Sequence, residues 1–304
     1  MDTRKQIFDR SAPVVVGGVG GSGTRVVASI LMELRYYLGD LRIPSNDNRW
    51  FADLFFQRPT CLTSLSGISQ VRIFKALELF EKLMFRRFTV PAGNPALWIK
   101  VIWFAAFFWN DLKVSGRVKI LRTGFSYWLR DIISSEQLNY TEFVGWGWKE
   151  PVSHIYIEYL NEYFGRMKYI HVIRNGLDMA YSNNQSQFYE YGGLFDAFVP
   201  DSPAIAPERG YLDYWIKTNK RAIGLGKRLL GRRFMLLSFE ELCRSTKHEI
   251  ERLISFLDLD RRDVDIERLC NIVRKPKSIG RYRDQDLGIF SPEAIRAVKE
   301  IERT

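Results

Sequence analysis

Cysteine and histidine are scarce in this sequence of 304 residues, with three of each. Cys61, Cys243 and Cys270 form neither a CxxC pair nor an even set for a disulfide framework, so we interpret them as reduced core residues. The histidines are scattered, without metal-ligand spacing to a cysteine or to one another. The sequence therefore predicts no bound metal.

Long apolar runs are also missing. The most apolar run, residues 101–109, has about half the length that is needed to cross a bilayer. The first ten residues are charged and lack the apolar stretch of a secretory signal. We therefore expect a cytoplasmic protein without a transmembrane segment.

Positive charge, by contrast, is in excess. The chain has 45 Lys and Arg against 35 Asp and Glu, which gives a net charge of +10 at pH 7. Such an excess favours anionic partners, whether nucleic acid, acidic lipid, a polyanionic glycan or a multiply phosphorylated cosubstrate. A solvated basic face explains the charge equally well, so the sign alone does not choose a partner.

Short apolar runs alternate with longer stretches of helical periodicity, which predicts a parallel sheet covered by helices on both faces. The predicted strands and the helices that follow them are 13–16 with 24–38, 169–173 with 177–187, and 234–237 with 239–257. Amphipathic helices are predicted at 69–88 and 125–137 as insertions, and a surface loop over a cleft at 192–207. Without a linker or a repeat, residues 1–304 are expected to form one α/β domain.

The segment from Gly17 to Arg25 contains five glycines between the first predicted strand and its helix. Glycines let backbone N–H groups converge on a ligand, and the N-terminal end of the helix adds positive potential, so the segment predicts an anion cradle. Ser22 and Thr24 add hydroxyl donors, and Arg25 adds charge. We call this segment the glycine loop. A tight turn without a ligand is the alternative.

Three kinds of ligand are compatible with the glycine loop. A nucleoside-triphosphate P-loop has the right glycine spacing, but Thr24 occupies the position of its lysine. A dinucleotide loop of the form GxGxxG also fits, with Asp40 about 20 residues downstream, although no apolar strand precedes Asp40. That interpretation leaves an NAD-dependent oxidoreductase as an alternative function. The third ligand is a phosphosulfate.

Three separated segments resemble the sulfotransferase family that uses 3'-phosphoadenosine-5'-phosphosulfate (PAPS). Ser22-Gly23-Thr24-Arg25 is similar to the phosphosulfate-binding loop of its glycan and heparan-type branch. The second segment, from Tyr169 to Ser182, is similar to the 3'-phosphate motif, with Arg174 at the end of a strand and Ser182 about two turns into the next helix. The third, residues 274–283, is similar to a basic loop that closes over the nucleotide, and we call it the clamp loop.

The resemblance implies a P-loop-type three-layer α/β/α fold, with a central parallel sheet and helical insertions, and an in-line sulfuryl transfer from PAPS to an acceptor hydroxyl or amine. It implies neither a metal nor a nucleic-acid partner; the acceptor is a glycan, a small molecule or a peptide. The residues that it assigns to the nucleotide are Gly20, Gly21, Ser22, Gly23, Thr24, Arg25, Arg174, Ser182, Ser278, Gly280, Arg281, Tyr282 and Arg283.

At the catalytic groups the sequence departs from the family pattern, because Gly21 stands where many family members carry Lys or Arg. The cation that stabilises the leaving group must then be Arg25 or Lys149, or the protein is a catalytically impaired nucleotide-binding relative. Lys149 resembles the lysine of a Lys-x-Pro element in glycan sulfotransferases, with a surface lysine as the alternative. Asp47 is slightly favoured over Glu150 as the general base. The aromatic stretches 98–109 and 146–148 either line an acceptor cleft or pack in the core.

Overall fold

A computed structural model describes residues 9, 11–40, 42–56, 65, 69–85, 139–198 and 206–304. Its centre is a sheet of parallel strands in the order β2-β3-β1-β4-β5. The strands are β1 (Val14–Gly18), β2 (Tyr36–Tyr37), β3 (Gly145–Lys149), β4 (Lys168–Ile173) and β5 (Phe234–Ser238). The predicted parallel sheet is confirmed.

Helices connect the strands and cover the sheet. The α-helices are α1 (Thr24–Glu33), α2 (Arg49–Phe51), α3 (Gln70–Met84), α4 (Ile157–Phe164), α5 (Gly176–Ala180), α6 (Ser186–Tyr191), α7 (Glu208–Leu230), α8 (Phe239–Arg244), α9 (Thr246–Phe256), α10 (Ile266–Cys270) and α11 (Pro292–Glu302). A π-helical turn, Ala52–Phe56, extends α2. 3-10 turns span Tyr140–Glu142, Pro151–Tyr156, Gly192–Phe195, Gly231–Arg233, Arg261–Asp263, Arg281–Asp284 and Leu287–Ile289.

Each face of the sheet has its own hydrophobic core, which confirms the three-layer α/β/α fold. On one face, side chains of β1, β4 and β5 pack against α1, α8, α9 and α10. On the other face, an aromatic-rich core joins the sheet to α3, α4, α7 and α11. Trp148 of β3 lies in that second core, with its ring centroid 5.2 Å from that of Phe51 and 5.0 Å from that of Phe80.

The strand order decides which loops meet. β1 lies between β3 and β4, so the segments that follow these three strands lie at one edge of the sheet. In a dinucleotide-binding sheet, the strand that follows the first helix is the direct neighbour of β1. Here β3 separates β2 from β1, which places Asp40, just after β2, away from the glycine loop. The strand order therefore argues against a dinucleotide site.

Several predicted boundaries were wrong. The helix expected to run to residue 38 ends at Glu33, and the two-residue strand β2 follows it, so a strand does precede Asp40. The helix predicted at 177–187 is two helices, α5 and α6, and that at 239–257 is broken at Ser245 into α8 and α9. Strand β3 was missed. Its Trp146 and Trp148 are fully buried in the core, so they do not line an acceptor cleft.

Some predictions fall beyond the described residues. The helix at 125–137, the apolar run at 101–109, the aromatic stretch at 98–109 and Cys61 lie outside them. The described cysteines, Cys243 and Cys270, are free and half-buried rather than core residues. No helix among the residues that the structure describes is long and apolar enough to span a membrane. The cytoplasmic location stays a prediction.

Candidate active site

A cavity of about 450 Å³ opens where the segments after β1 and β3 meet. One wall is the glycine loop, from Gly20 to Arg25, and another is the end of β3 with Lys149 and Glu150. The segment before and within α2, which contains Asp47, forms a third wall, and the start of α6 completes the lining. Four separated parts of the sequence therefore face one space.

The glycine loop presents hydrogen-bond donors without acceptors. Among the described residues, none accepts from the backbone N–H groups of Gly21, Gly23 and Thr24. The hydroxyl of Ser22 is buried and also has no partner there. Because a buried polar group without a partner is costly, this arrangement indicates that a ligand supplies the acceptors. The Gly20 N–H, by contrast, already donates to Oε1 of Gln187 at 2.9 Å.

Gly23 lets the glycine loop approach the aromatic ring of Phe239. Its φ of 96° lies in the left-handed region, and a Cβ added there would lie 2.3 Å from a ring carbon of Phe239. The same ring lies below the guanidinium of Arg174, with 5.8 Å between its centroid and Cζ of the arginine. One buried ring therefore contacts both the glycine loop and Arg174.

Lys149 is a buried cation rather than a surface lysine. The residue is 3% exposed. Its Nζ forms an ion pair with the carboxylate of Asp47 and donates to the backbone oxygen of Ser45 at 3.3 Å. The Asn48 N–H fixes this segment by donating to the backbone oxygen of Lys149 at 2.7 Å. The predicted cation and the favoured general base thus contact each other.

Glu150 is the second carboxylate of the cavity, and it is 4% exposed. Burial, and next the negative charge of Asp47, raise the pKa of Glu150 well above its ordinary value, while Lys149 opposes the shift. The Glu150 carboxyl is therefore held toward its neutral form, in which it donates a proton rather than accepting one.

Arg174 leaves the end of β4 and contacts two predicted parts of the site. Its Nη2 donates to the hydroxyl of Ser278 in the clamp loop at 2.9 Å, and its Nη1 lies 3.5 Å from the backbone oxygen of Gly21. Burial, and next the charge of Arg281, lower the pKa of Arg174. Its Nε is buried and has no partner among the described residues. The glycine loop, Arg174 and the clamp loop are thus brought together.

Ser182 lies differently from the prediction. It is not two turns into a helix, because α5 ends at Ala180, and Ser182 follows the helix in a turn. Its hydroxyl accepts from the Asn184 N–H at 3.3 Å, and no hydrogen bond joins it to Arg174. The short α5 nevertheless places Ser182 on the segment that leads directly to the cavity wall at Asn184.

The clamp loop is attached to α5 through backbone donors. The N–H groups of Gly280 and Tyr282 donate to the carboxylate of Asp178 at 2.7 and 3.1 Å. Arg281 donates to the backbone oxygens of Ser278 and Tyr181 at 3.2 and 3.3 Å. Arg283 is exposed at the end of this loop.

Comparison with known proteins identifies the family to which the chain belongs. A model of the sulfotransferase family matches residues 13–263. The chain belongs to the sulfotransferase family. No curated protein sequence matches it at a significant level. Since the family match covers the sheet, the glycine loop and Arg174, the protein is an enzyme of sulfuryl transfer.

A solved sulfotransferase domain shares the fold at low sequence identity, and further solved sulfotransferases are similar at lower TM-scores. The sulfotransferase domain from the curacin biosynthetic pathway has a TM-score of 0.52 and 13% identity, over 96% of this chain and 97% of that domain. The sulfotransferase domain of the Synechococcus PCC 7002 olefin synthase has a TM-score of 0.49 and 14% identity, over 99% and 98%. Sulfotransferase STF9 from Mycobacterium avium has a TM-score of 0.40 and 13% identity, over 96% and 76%.

The glycine loop of this sulfotransferase contains one basic side chain, that of Arg25, which is exposed and lines the cavity. Gly21 has a φ of 95°, a conformation that a lysine adopts only with strain. A Cβ added there would lie 3.4 Å from the methyl carbon of Met179, which is ordinary van der Waals contact. The backbone conformation, rather than a neighbouring side chain, therefore favours glycine at this position.

Sequence reasoning missed Gln187 and Asp178. Gln187 is 5% exposed and bonds the glycine loop, and Asp178 is 1% exposed and bonds the clamp loop. Their partners are 167 and 102 residues away in the sequence. An acidic residue four positions after Arg174 was a visible signal, whereas nothing in the sequence marked Gln187.

Proposed function

We propose that this sulfotransferase, as one domain over residues 1–304, transfers a sulfuryl group from PAPS to an acceptor hydroxyl or amine by in-line displacement. One observation carries the proposal: Nη1 of Arg174 lies 3.5 Å from the backbone oxygen of Gly21. An anion cradle and a buried guanidinium therefore lie side by side at the ends of neighbouring strands. PAPS has anionic groups at its 5' and 3' ends, which suits two adjacent anion sites.

Unpaired donors support this fit. The Ser22 hydroxyl and the Nε of Arg174 are buried, and neither has a partner among the described residues. We assign Gly20 to Arg25 to the 5'-phosphosulfate, Arg174 and Ser182 to the 3'-phosphate, and the clamp loop from Ser278 to Arg283 to the nucleotide. Guanidinium groups suit phosphate because they donate two parallel, charge-assisted hydrogen bonds.

PAPS supplies the sulfuryl group and a phosphate leaving group, so the protein must position two oxygens and stabilise spreading negative charge. Lys149 is the best-placed cation, because it is buried in a wall of the cavity, where low dielectric strengthens its field. Arg25 lines the same cavity from an exposed position and is the second candidate. Because Lys149 or Arg25 supplies the positive charge in this proposal, no lysine is needed at position 21.

Asp47 is the proposed general base. Its carboxylate is ion-paired with Lys149 and accepts from the Ser45 hydroxyl, so two donors orient it in the cavity wall. Glu150 competes less well, because burial raises its pKa and holds a proton on it. The base is needed only for an acceptor that arrives protonated. Glycans, small molecules and peptides all remain acceptors under this proposal.

The decisive test compares 3'-phosphoadenosine 5'-phosphate (PAP) with adenosine 5'-phosphate (AMP) by calorimetry. Arg174→Ala should weaken PAP binding about a hundredfold, or about 2.7 kcal/mol, and AMP binding less than threefold, because only PAP has the 3'-phosphate. Arg244→Ala is the matched control: Arg244 is exposed and its loss removes the same charge. Equal loss for both ligands would contradict the assignment of Arg174.

Turnover decides between an active and an impaired enzyme. We expect release of PAP from PAPS in the presence of a simple phenol, a hexosamine or a tyrosyl peptide. PAP binding without any turnover over such a panel would favour the impaired nucleotide-binding relative. Binding of NAD without binding of PAP would favour the oxidoreductase instead.

A further inference from the structure

Asp178 is a buried carboxylate that connects α5 to the clamp loop. Its side chain is 1% exposed. One carboxylate oxygen accepts from the Gly280 N–H at 2.7 Å, and the other accepts from the Tyr282 N–H at 3.1 Å. The same carboxylate lies 4.0 Å from Nη2 of Arg174. It therefore touches two of the three parts of the proposed nucleotide site.

These bonds are not needed to form α5. The side chain of Asn175 already caps that helix by accepting from the Asp178 N–H at 2.9 Å. A carboxylate in the first turn that served only the helix would remain near its own N–H groups. The Asp178 carboxylate instead bonds residues 102 and 104 positions later in the chain. Its partners are thus the clamp loop and Arg174.

Burial of a charged group is costly unless hydrogen bonds and opposite charge compensate it. Here two backbone donors and one guanidinium surround the carboxylate, and Gly280, with a φ of 84°, allows the clamp loop to turn its N–H inward. Arg174 in turn donates to Ser278 of the same loop at 2.9 Å. Arg174, Asp178 and the clamp loop therefore form a closed set of contacts.

We propose that Asp178 is a positioning residue for the donor nucleotide: it holds the clamp loop closed and orients the Arg174 guanidinium toward the 3'-phosphate. The inference rests on the proposed function, since it takes Arg174 as the 3'-phosphate ligand. Asp178 itself does not touch the nucleotide, because its oxygens are already used by the backbone. It acts on the 3' end of the donor and not on the sulfuryl group.

The test is Asp178→Asn, which keeps the shape of the side chain but removes its charge and replaces one acceptor oxygen by a donor. We expect PAP binding to weaken at least tenfold and AMP binding less than threefold, with a higher KM for PAPS at nearly unchanged kcat. Asp286→Asn is the matched control, because Asp286 also accepts from a backbone N–H, that of Gly288 at 2.8 Å, but is exposed.

Hydrogen exchange supplies a readout that does not depend on the ligand. At least one of the amides of Gly280 and Tyr282 should exchange at least tenfold faster in folded Asp178→Asn than in the unsubstituted protein, because asparagine keeps only one of the two acceptor oxygens. If Asp178→Asn does not fold, Asp178→Ala replaces it, because alanine removes both acceptors without adding a donor beside the two N–H groups.

The outcomes separate the two proposals. No PAP binding by the unsubstituted protein would overturn the proposed function. PAP binding that is strong in the unsubstituted protein and unchanged within twofold in the variant would overturn only the role of Asp178. An equal loss of PAP and AMP affinity would also overturn it, because it would indicate a general loss of structure rather than of the 3' contact.

Discussion

Replacing Lys149 by methionine tests the buried cation of the cavity. The Lys149 side chain is 3% exposed and that of Asp47 13% exposed, so the substitution leaves a nearly buried carboxylate without its cation. Removing one partner of a buried ion pair costs about 3–5 kcal/mol. Because Asp47 keeps its bond from the Ser45 hydroxyl, we expect the lower end, a loss of about 3 kcal/mol in the free energy of unfolding.

The double variant Lys149→Met/Asp47→Asn separates folding from catalysis. Since both charges are removed together, its loss of stability should be well below the sum of the two single losses. Its activity, however, should not return. We expect kcat to fall by about 10²–10³ in both variants that lack Lys149, which is the usual effect of removing one transition-state donor. PAP affinity should change less than threefold.

Urea unfolding measures the free energy of unfolding of each variant. Release of PAP from PAPS with the best acceptor of the panel measures kcat. Lys168→Met is the matched control, because Lys168 forms an ion pair of 2.6 Å with Asp258, whose side chain is 80% exposed. Exposed pairs contribute about 0–1 kcal/mol. Additive losses of stability would refute the buried ion pair, and a kcat within threefold of the unsubstituted enzyme would refute the catalytic role of Lys149.

Two further predictions concern residues around the site. Burial lowers the pKa of His171 from 6.5 to about 4, so the unfolded chain binds a proton that the folded chain does not. The free energy of unfolding should therefore decrease by about 3 kcal/mol as the pH is lowered from 6.5 to 4. Urea unfolding of His171→Gln should lack this part of the pH dependence. Gln187→Leu leaves the Gly20 N–H without an acceptor, which costs about 1–3 kcal/mol; we expect the KM for PAPS to rise about tenfold, and an unchanged KM would contradict this.

The sequence allowed the main strands to be predicted where apolar residues run together. Strands β1, β4 and β5 contain such runs, and glycines or a polar residue end them. Strand β3, Gly145–Lys149, alternates glycine with tryptophan and lacks the usual β-branched residues. A Cβ on Gly147 would lie 1.8 Å from the backbone oxygen of Val14, so this glycine allows close approach of neighbouring strands. That requirement is visible only in the folded sheet.

Helix ends were predicted less well than helix positions. The apolar period continues across Ser245, but that residue has φ −123° and ψ 50°, which interrupts the helix without a proline or glycine. The chain after Arg174 behaves similarly, because α5 stops after Ala180. Neither break is marked by a residue of low helix propensity, so local propensity does not predict them.

The motifs of the candidate site were predictable from the sequence, but the residues that hold its loops in place were not. The glycine loop, Arg174 and Lys149 carry local patterns, since glycine, arginine and lysine next to strand ends suit phosphate and sulfuryl groups. Gln187 and Asp178 are ordinary polar residues on short helices, and their partners are more than 100 residues away. Apart from the position of Asp178 four residues after Arg174, the sequence carries no sign of this long-range pairing.

The ring of Phe239 contacts both Gly23 and the Arg174 guanidinium, which has a consequence for the proposed donor site. An aromatic ring is flat and rigid, so it limits how far these two residues can shift relative to each other. Under the proposal that the glycine loop and Arg174 bind the two ends of one nucleotide, a side chain without charge helps to fix the charge separation that the site accepts.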